Sequence, residues 1–338
     1  METIRVKGIA VELPTARVDN SELVRQFGTW TEEKIYQKTG IRERRVATTE
    51  LVSDLATGAC ERLFADNPAF SRDEVDMLLL CTETPDYYMP ATACVVHRRL
   101  GLRSDAGALD FNLGCSGFIY GLALAKSLVA SGAARTVLLA TGDTLSKTVH
   151  PMDKSTRTIF GDGVAATLVG RGDSGGEIGE FVLGTDGSGA EKLIVPAGGF
   201  AMPRTPETAE ERTNMWGNTR SHDNLYMNGP EVLEFTVRTV PGCVAATLGK
   251  HGMTMDDVDL FVFHQATRLI LEHLRKEMRI PEDRFMVHME TTGNTVSATI
   301  PIALAEALRV GRVRSGMRVM LVGFGVGFSW GATVLRWN

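Results

Sequence analysis

The chain has 338 residues, 43% hydrophobic and 23% charged, enough apolar material for two domains or one duplicated unit. A formal net charge of -5, with four tryptophans and five tyrosines scattered along the chain, excludes the basic excess and stacking platform of a nucleic-acid-binding protein. The opening METIRVKGIAVELP lacks an apolar run of signal-peptide length and no stretch approaches a membrane span, so the expected setting is cytoplasmic, away from membranes.

In chain order, short apolar runs at 77–80, 136–140 and 260–263 alternate with helical-period segments at 117–130, 269–278 and 299–309. Such alternation predicts an α/β protein. The helix beginning near residue 117 carries Phe118, Ile119, Leu122, Leu124, Ala125, Leu128 and Val129 around nearly its whole circumference, which predicts a core helix. Ser131-Gly132 is its stop signal.

The chain also resembles itself. DEVDMLLLCTET (73–84) matches DDVDLFVFHQAT (256–267), and each is followed by strand, Gly-polar turn, helix, Gly and strand. FGDGVAATLVG (160–170) and VGFSWGATVLRW (326–337) close the two stretches. We divide the chain accordingly into halves 1–171 and 172–338. In this register Cys81 falls on His264, and Gly114-Cys115 on Gly293-Asn294. Ligands gather beyond the carboxyl ends of strands in such folds, so these residues are expected to share one pocket.

The five cysteines form no CxxC pair and the seven histidines no HxxxH or HExxH pattern, so neither a disulfide framework nor a metal site is expected. Cys115 has two readings: a small buried hydrophobe, or a nucleophile whose thiolate is stabilised by a helix N-terminus and by His264 nearby. His264 alone reads equally as a core histidine, and Asn294 as a helix cap or turn residue. Joint placement favours chemistry. Cys115 would attack a thioester, backbone N–H groups of a Gly-rich turn such as GFGVGFSWG (323–331) would hold the oxyanion, and Asn294, which cannot titrate, would stabilise an oxyanion or enolate. Two other motifs are set aside. GDSGG (172–176) precedes no helix and predicts a polar hairpin turn, and GFGVG lies too near the end of the sequence for a dinucleotide site.

GCSGFIYGL, HQATRLI, GNTVSATIP, IFGDGVAATL, TGIRERR and the closing GFGVGFSWG together resemble the β-ketoacyl-acyl carrier protein synthase III family of the thiolase superfamily, in the family's order and over essentially the whole chain. The resemblance implies a five-layered αβαβα thiolase fold of two duplicated halves and a homodimer without metal or redox cofactor. It makes Cys115 the acyl acceptor, with His264 and Asn294 promoting decarboxylation of a malonyl thioester on acyl carrier protein, and the N–H groups of Cys115 and Val326 the oxyanion hole. Glycine is usual at Val326, but only a backbone donor is needed there. Met89 would reach across the dimer to line the partner's acyl pocket.

Departures from the family concern the donor site. Lys34 and Lys154 stand where a tryptophan and an arginine sandwich the adenine of coenzyme A, while Pro230 and Thr267 replace pantetheine-contacting asparagines. Lysines there would still meet donor phosphates, whether the acyl group arrives on coenzyme A or on a carrier protein. Glu234 and Leu269 replace basic docking positions, but Arg268, Arg275 and Arg279, at i, i+7 and i+11, are expected on one helical face as a patch for an acidic carrier protein. The polar segment 198–225 is longer than usual and is expected to cap the pocket mouth. The expected activity is a decarboxylative Claisen condensation giving a 3-oxoacyl product. The alternatives are acyl transfer to an oxygen, nitrogen or carrier thiol without decarboxylation, and a silent partner subunit of a condensing heterodimer.

Overall fold

A computed structural model describes residues 3–338. Ten strands hydrogen-bond into one run in which two sets of five share the same internal order. In the first set Gly107–Phe111, Met77–Cys81 and Thr136–Asp143 lie parallel, and Gly163–Arg171 and Ile4–Glu12 follow antiparallel. In the second, Phe285–Met286, Leu260–Phe263 and Arg318–Gly325 lie parallel, and Ser329–Trp337 and Gly176–Thr185 follow antiparallel. Among the described residues the sets meet at a seam of two residue pairs, Arg5 with Glu177 and Val6 with Gly176.

Strand periodicity explains the layers. Leu79, Val137 and Leu139 face one cluster with Val262, Val319 and Leu321 from the other set, around the helices Gly117–Ser131 and Thr299–Arg309. Their neighbours Leu78, Leu80, Leu138 and Ala140 face outward onto Val52–Asp66 and Thr92–Leu100. Phe261, Phe263, Met320 and Val322 likewise face Gly229–His251 and Arg268–Glu277. Successive side chains point to opposite faces, so strands apolar at every position must be covered twice. The result is five layers, αβαβα, with two helices in the middle.

Three expectations need correcting. The helix Gly117–Ser131 is not buried all round, because Leu124 is 44% exposed. GDSGG is a turn but closes no hairpin: the strands it joins flank Ile4–Glu12 on opposite sides. The helix carrying Arg268 and Arg275 ends at Glu277, and Arg279 follows with φ 54°, off the helical path. Arg268 is engaged by Tyr36 and Glu290, and Arg275 is turned back onto Glu272 and the Ile280 carbonyl. Arg268 and Arg275 therefore share a helical face but are engaged by other partners, and Arg279 lies beyond the end of the helix.

Candidate active site

The parallel strands of both sets end at one place. Cys115 lies in the turn between Gly107–Phe111 and Gly117–Ser131, whose first hydrogen bond runs from Gly117 N–H to Gly114 O at 2.7 Å. His264 directly follows Leu260–Phe263, and Asn294 lies between Phe285–Met286 and Thr299–Arg309. Val326 directly follows Arg318–Gly325. All but Val326 are buried.

Val296 links the three side chains. Its N–H donates to Asn294 Oδ1 at 2.9 Å, its carbonyl accepts from Thr299 Oγ1 at 3.1 Å, and that hydroxyl lies 2.7 Å from His264 Nδ1. Its side chain packs in an apolar cluster with Cys115, Leu145, Phe160, Leu193 and Leu225. Val296 adopts φ 55°, uncommon for a β-branched residue, and strain of that kind is held at functional sites by the surroundings. Asn294 is pinned by backbone bonds to Ile159 and Gly161. Because Oδ1 is committed to Val296, Nδ2, with one long contact to the Ala266 carbonyl at 3.5 Å, is the group left to donate.

The backbone N–H groups of Val326 and of Cys115 itself lie near the sulfur and favour its thiolate. Val326 is held from behind: Ser329 Oγ donates to its carbonyl at 2.7 Å and accepts from Ser116 Oγ at 2.7 Å. Burial nevertheless dominates, and with the charge of Glu83 it pushes the Cys115 thiol up to about 12. The expected stabilised thiolate is thus corrected: the resting group is a thiol, because desolvation outweighs the two N–H donors. His264 adds no positive charge, since burial brings it down to about 3 and keeps the ring neutral.

Glu83, Asp143, Val296, Thr299 and Gly325 escaped the reading of the sequence. A signal existed for Glu83, which stands opposite Ala266 when the two strand motifs are superposed. Asp143 and Gly325 end equivalent eight-residue strands.

Other expected residues fall around this centre. Lys34 Nζ lies over the Trp30 ring at 4.9 Å, and Lys154 Nζ is 3.4 Å from Thr29 Oγ1, so both reach the same corner. Lys154 is buried without a carboxylate partner among the described residues. Thr267 caps the helix Arg268–Glu277 through Ile270 N–H. Met89 is 83% exposed, beside Tyr88, whose ring lies 5.9 Å from that of Phe200. The segment 198–225 forms a small hairpin, Arg212–Thr213 with Thr219–Arg220, fastened to the stretch before Lys154 by Arg220 on Asp153 and Thr219 N–H on the Met152 carbonyl. Its Leu225 enters the Cys115 cluster. A cavity of about 660 Å³ lies behind the ribbon Leu193–Ile194/Tyr226–Met227, lined by Ile194 and Tyr226, while Leu193 joins the cluster around Cys115. Among the described residues no group of three or more His, Cys, Asp or Glu side chains could hold a metal, and no helix is long and apolar enough to cross a membrane.

Five layers around a buried cysteine with an oxyanion-type N–H pair, a neutral histidine and an asparagine define a thiolase-fold condensing enzyme. Residues 109–187 match the family model of 3-oxoacyl-[acyl-carrier-protein] synthase III, and residues 248–337 that of its C-terminal part. A β-ketoacyl-[acyl-carrier-protein] synthase III of Caldanaerobacter subterraneus subsp. tengcongensis is 38% identical over 335 residues, 98% of this chain and 97% of the relative. The chain therefore belongs to the 3-oxoacyl-[acyl-carrier-protein] synthase III family. Among solved structures, a 3-oxoacyl-(acyl-carrier-protein) synthase III superposes with TM-score 0.96 at 49% identity, over 99% of this chain and 100% of the other. The priming β-ketosynthase of the R1128 polyketide pathway superposes with TM-score 0.85 at 29% identity, over 100% and 97%.

Proposed function

We propose that the protein condenses a Cys115-bound acyl group with a malonyl group carried on acyl carrier protein, releasing carbon dioxide and a 3-oxoacyl product. The observation that carries this reading is the Val296 link, which holds Asn294 and His264 against the loop cluster of Cys115. Cys115 is the acyl acceptor, and the N–H groups of Cys115 and Val326 receive the oxyanion of each tetrahedral intermediate. Loss of the malonyl carboxylate leaves an enolate, which Asn294 Nδ2 and the neutral His264 ring stabilise. The scheme uses no metal or redox cofactor. Lys154 and Lys34 are proposed to meet donor phosphates, from coenzyme A or a carrier protein, and Arg268 remains the candidate carrier contact. A second copy of the chain would cover Met89, Tyr88 and Phe200, and the joint at 171/172 is read as the boundary between equivalent halves.

Intact-protein mass spectrometry after incubation with acyl-coenzyme A and acyl-carrier-protein donors tests the first half-reaction. A mass gain absent from Cys115→Ala is expected, followed by release of labelled carbon dioxide from malonyl-acyl carrier protein. Acylation without that release would favour plain acyl transfer, and absence of any adduct would favour a silent subunit.

A further inference from the structure

A nucleophile that rests as a thiol must shed a proton before it attacks, and neither neutral His264 nor Asn294 provides a base in the scheme above. Glu83 lies where one would act. It follows the strand Met77–Cys81 by two residues and rests over the loop that carries Cys115: a Cβ built on Gly114 would collide with its carboxylate and stand 2.6 Å from Val326 Cγ1.

Its neighbour Asp143 is saturated with donors. Thr82 Oγ1 at 3.0 Å, Glu83 N–H at 2.6 Å and Thr84 Oγ1 at 3.4 Å reach Oδ1, and Ser297 Oγ at 3.1 Å reaches Oδ2. Among the described residues the Glu83 carboxyl has no such donor and no cation beside it; the charges it faces are Asp143 and, when ionised, Cys115 and Cys81. Two carboxyls this close do not both ionise readily, and the one without donors keeps the proton. Burial and the charge of Asp143 accordingly push Glu83 up to about 8.

From this juxtaposition we infer that Glu83 is the proton carrier of Cys115, accepting the thiol proton at acylation and returning one to the thiolate at condensation. The inference rests on Cys115 being the acyl acceptor. In acylation the S–H bond breaks, its proton passes to the Glu83 carboxylate, and a bond forms from Sγ to the acyl carbon. The donor's C–S bond then breaks, and its thiolate leaves with the proton that Glu83 took. In condensation the malonyl C–C bond breaks to release carbon dioxide and a new C–C bond forms at the acyl carbon. The Sγ–C bond breaks, and the Cys115 thiolate takes the proton of the Glu83 acid, which solvent had supplied. One proton is consumed per carbon dioxide released, so the scheme balances.

The test compares Glu83→Gln with wild type in two reactions of Cys115 followed by intact mass: acylation by a thioester donor, and alkylation by iodoacetamide, whose iodide leaving group needs no proton. Wild-type acylation should rise with pH and level off above about 8. Glu83→Gln should acylate at least ~10²-fold more slowly, with a rate still rising past that pH. Its alkylation above pH ~8 should instead be faster, since a charge opposing the thiolate is gone. Glu83→Asp should recover part of the acylation rate and its plateau. Acylation of Glu83→Gln at the wild-type rate with an unchanged profile would overturn the inference. So would slowing of both reactions in a variant with an unchanged melt, because that is the mark of a packing defect. Should Glu83→Gln fail to fold, a wild-type profile without a plateau near 8 overturns it alone. If wild type shows no Cys115 adduct with any donor, it is the parent reading that fails.

Discussion

Gly325 passes so close to Cys115 that a Cβ built on it would stand 2.6 Å from both Cβ and Sγ of the cysteine. The displaced atoms would include the sulfur and, one residue on, the Val326 N–H that points at it. Gly325→Ala should therefore lose acylation by about 10²-fold or more, the usual scale for a misaligned oxyanion donor, and lose stability with it, because the methyl meets Cys115 Cβ and Sγ at a backbone φ of 157°. Single-turnover acylation followed by mass spectrometry measures this, and a wild-type rate would show that the close approach has no consequence.

Thr299 decides which nitrogen of His264 carries the proton. Thr299→Val removes the 2.7 Å contact to Nδ1 and frees the other tautomer. Release of carbon dioxide from the preformed acyl-enzyme should fall roughly 10- to 100-fold, less than the ~10²–10³ expected for losing a transition-state donor outright. Acylation should hold within about twofold, as the hydroxyl plays no part in that step. Equal losses in both half-reactions would point to a distorted pocket.

His264 is a base whose folded-state value is depressed to about 3, so its ring is already neutral at every pH above that. Carbon dioxide release from the acyl-enzyme should therefore show no limb near the ordinary histidine value of ~6.5. A profile measured from pH 5 to 8 checks this, and a clear inflection in that range would contradict a neutral ring.

Glu83 also leaves a mark on stability. Its folded value is raised, so between the ordinary carboxyl range and about 8 the native state binds more protons than the unfolded chain, and stability falls as pH rises through that window. Glu83→Gln removes the contribution. The Tm of the variant should gain on wild type from pH 5 to pH 9, measured by scanning fluorimetry, and a constant difference would refute the linkage.

Lys154 tests the donor site. Lys154→Met keeps most of the buried stem and removes the ammonium near Thr29. KM for the acyl donor should rise roughly 10- to 100-fold, the worth of a charge-assisted contact, with kcat within about twofold. Running coenzyme A and carrier-protein donors side by side identifies which phosphates it meets. An unchanged KM for both would leave the lysine structural.

Much of this molecule was legible before any coordinates. The helix expected at 117–130 is Gly117–Ser131, the strand at 260–263 is Leu260–Phe263, and the helix at 299–309 is Thr299–Arg309. Uninterrupted apolar runs, a Gly stop and period-3.6 patterning are local properties, written where they act. The arginine patch was misread because periodicity alone does not show where a helix ends; Met278 closes this one and Arg279 turns away.

The chain alone determined the alternation of strand and helix, the two matching halves, and which cysteine, histidine and asparagine end equivalent strands. Tertiary structure decided the chemistry of those residues. Desolvation by atoms distant in sequence sets Cys115 as a thiol and His264 as a neutral ring, and the donors gathered on Asp143 leave the proton to Glu83. A pattern of residues records which groups can meet, but a proton's position depends on how much water the fold has removed and which dipoles replace it.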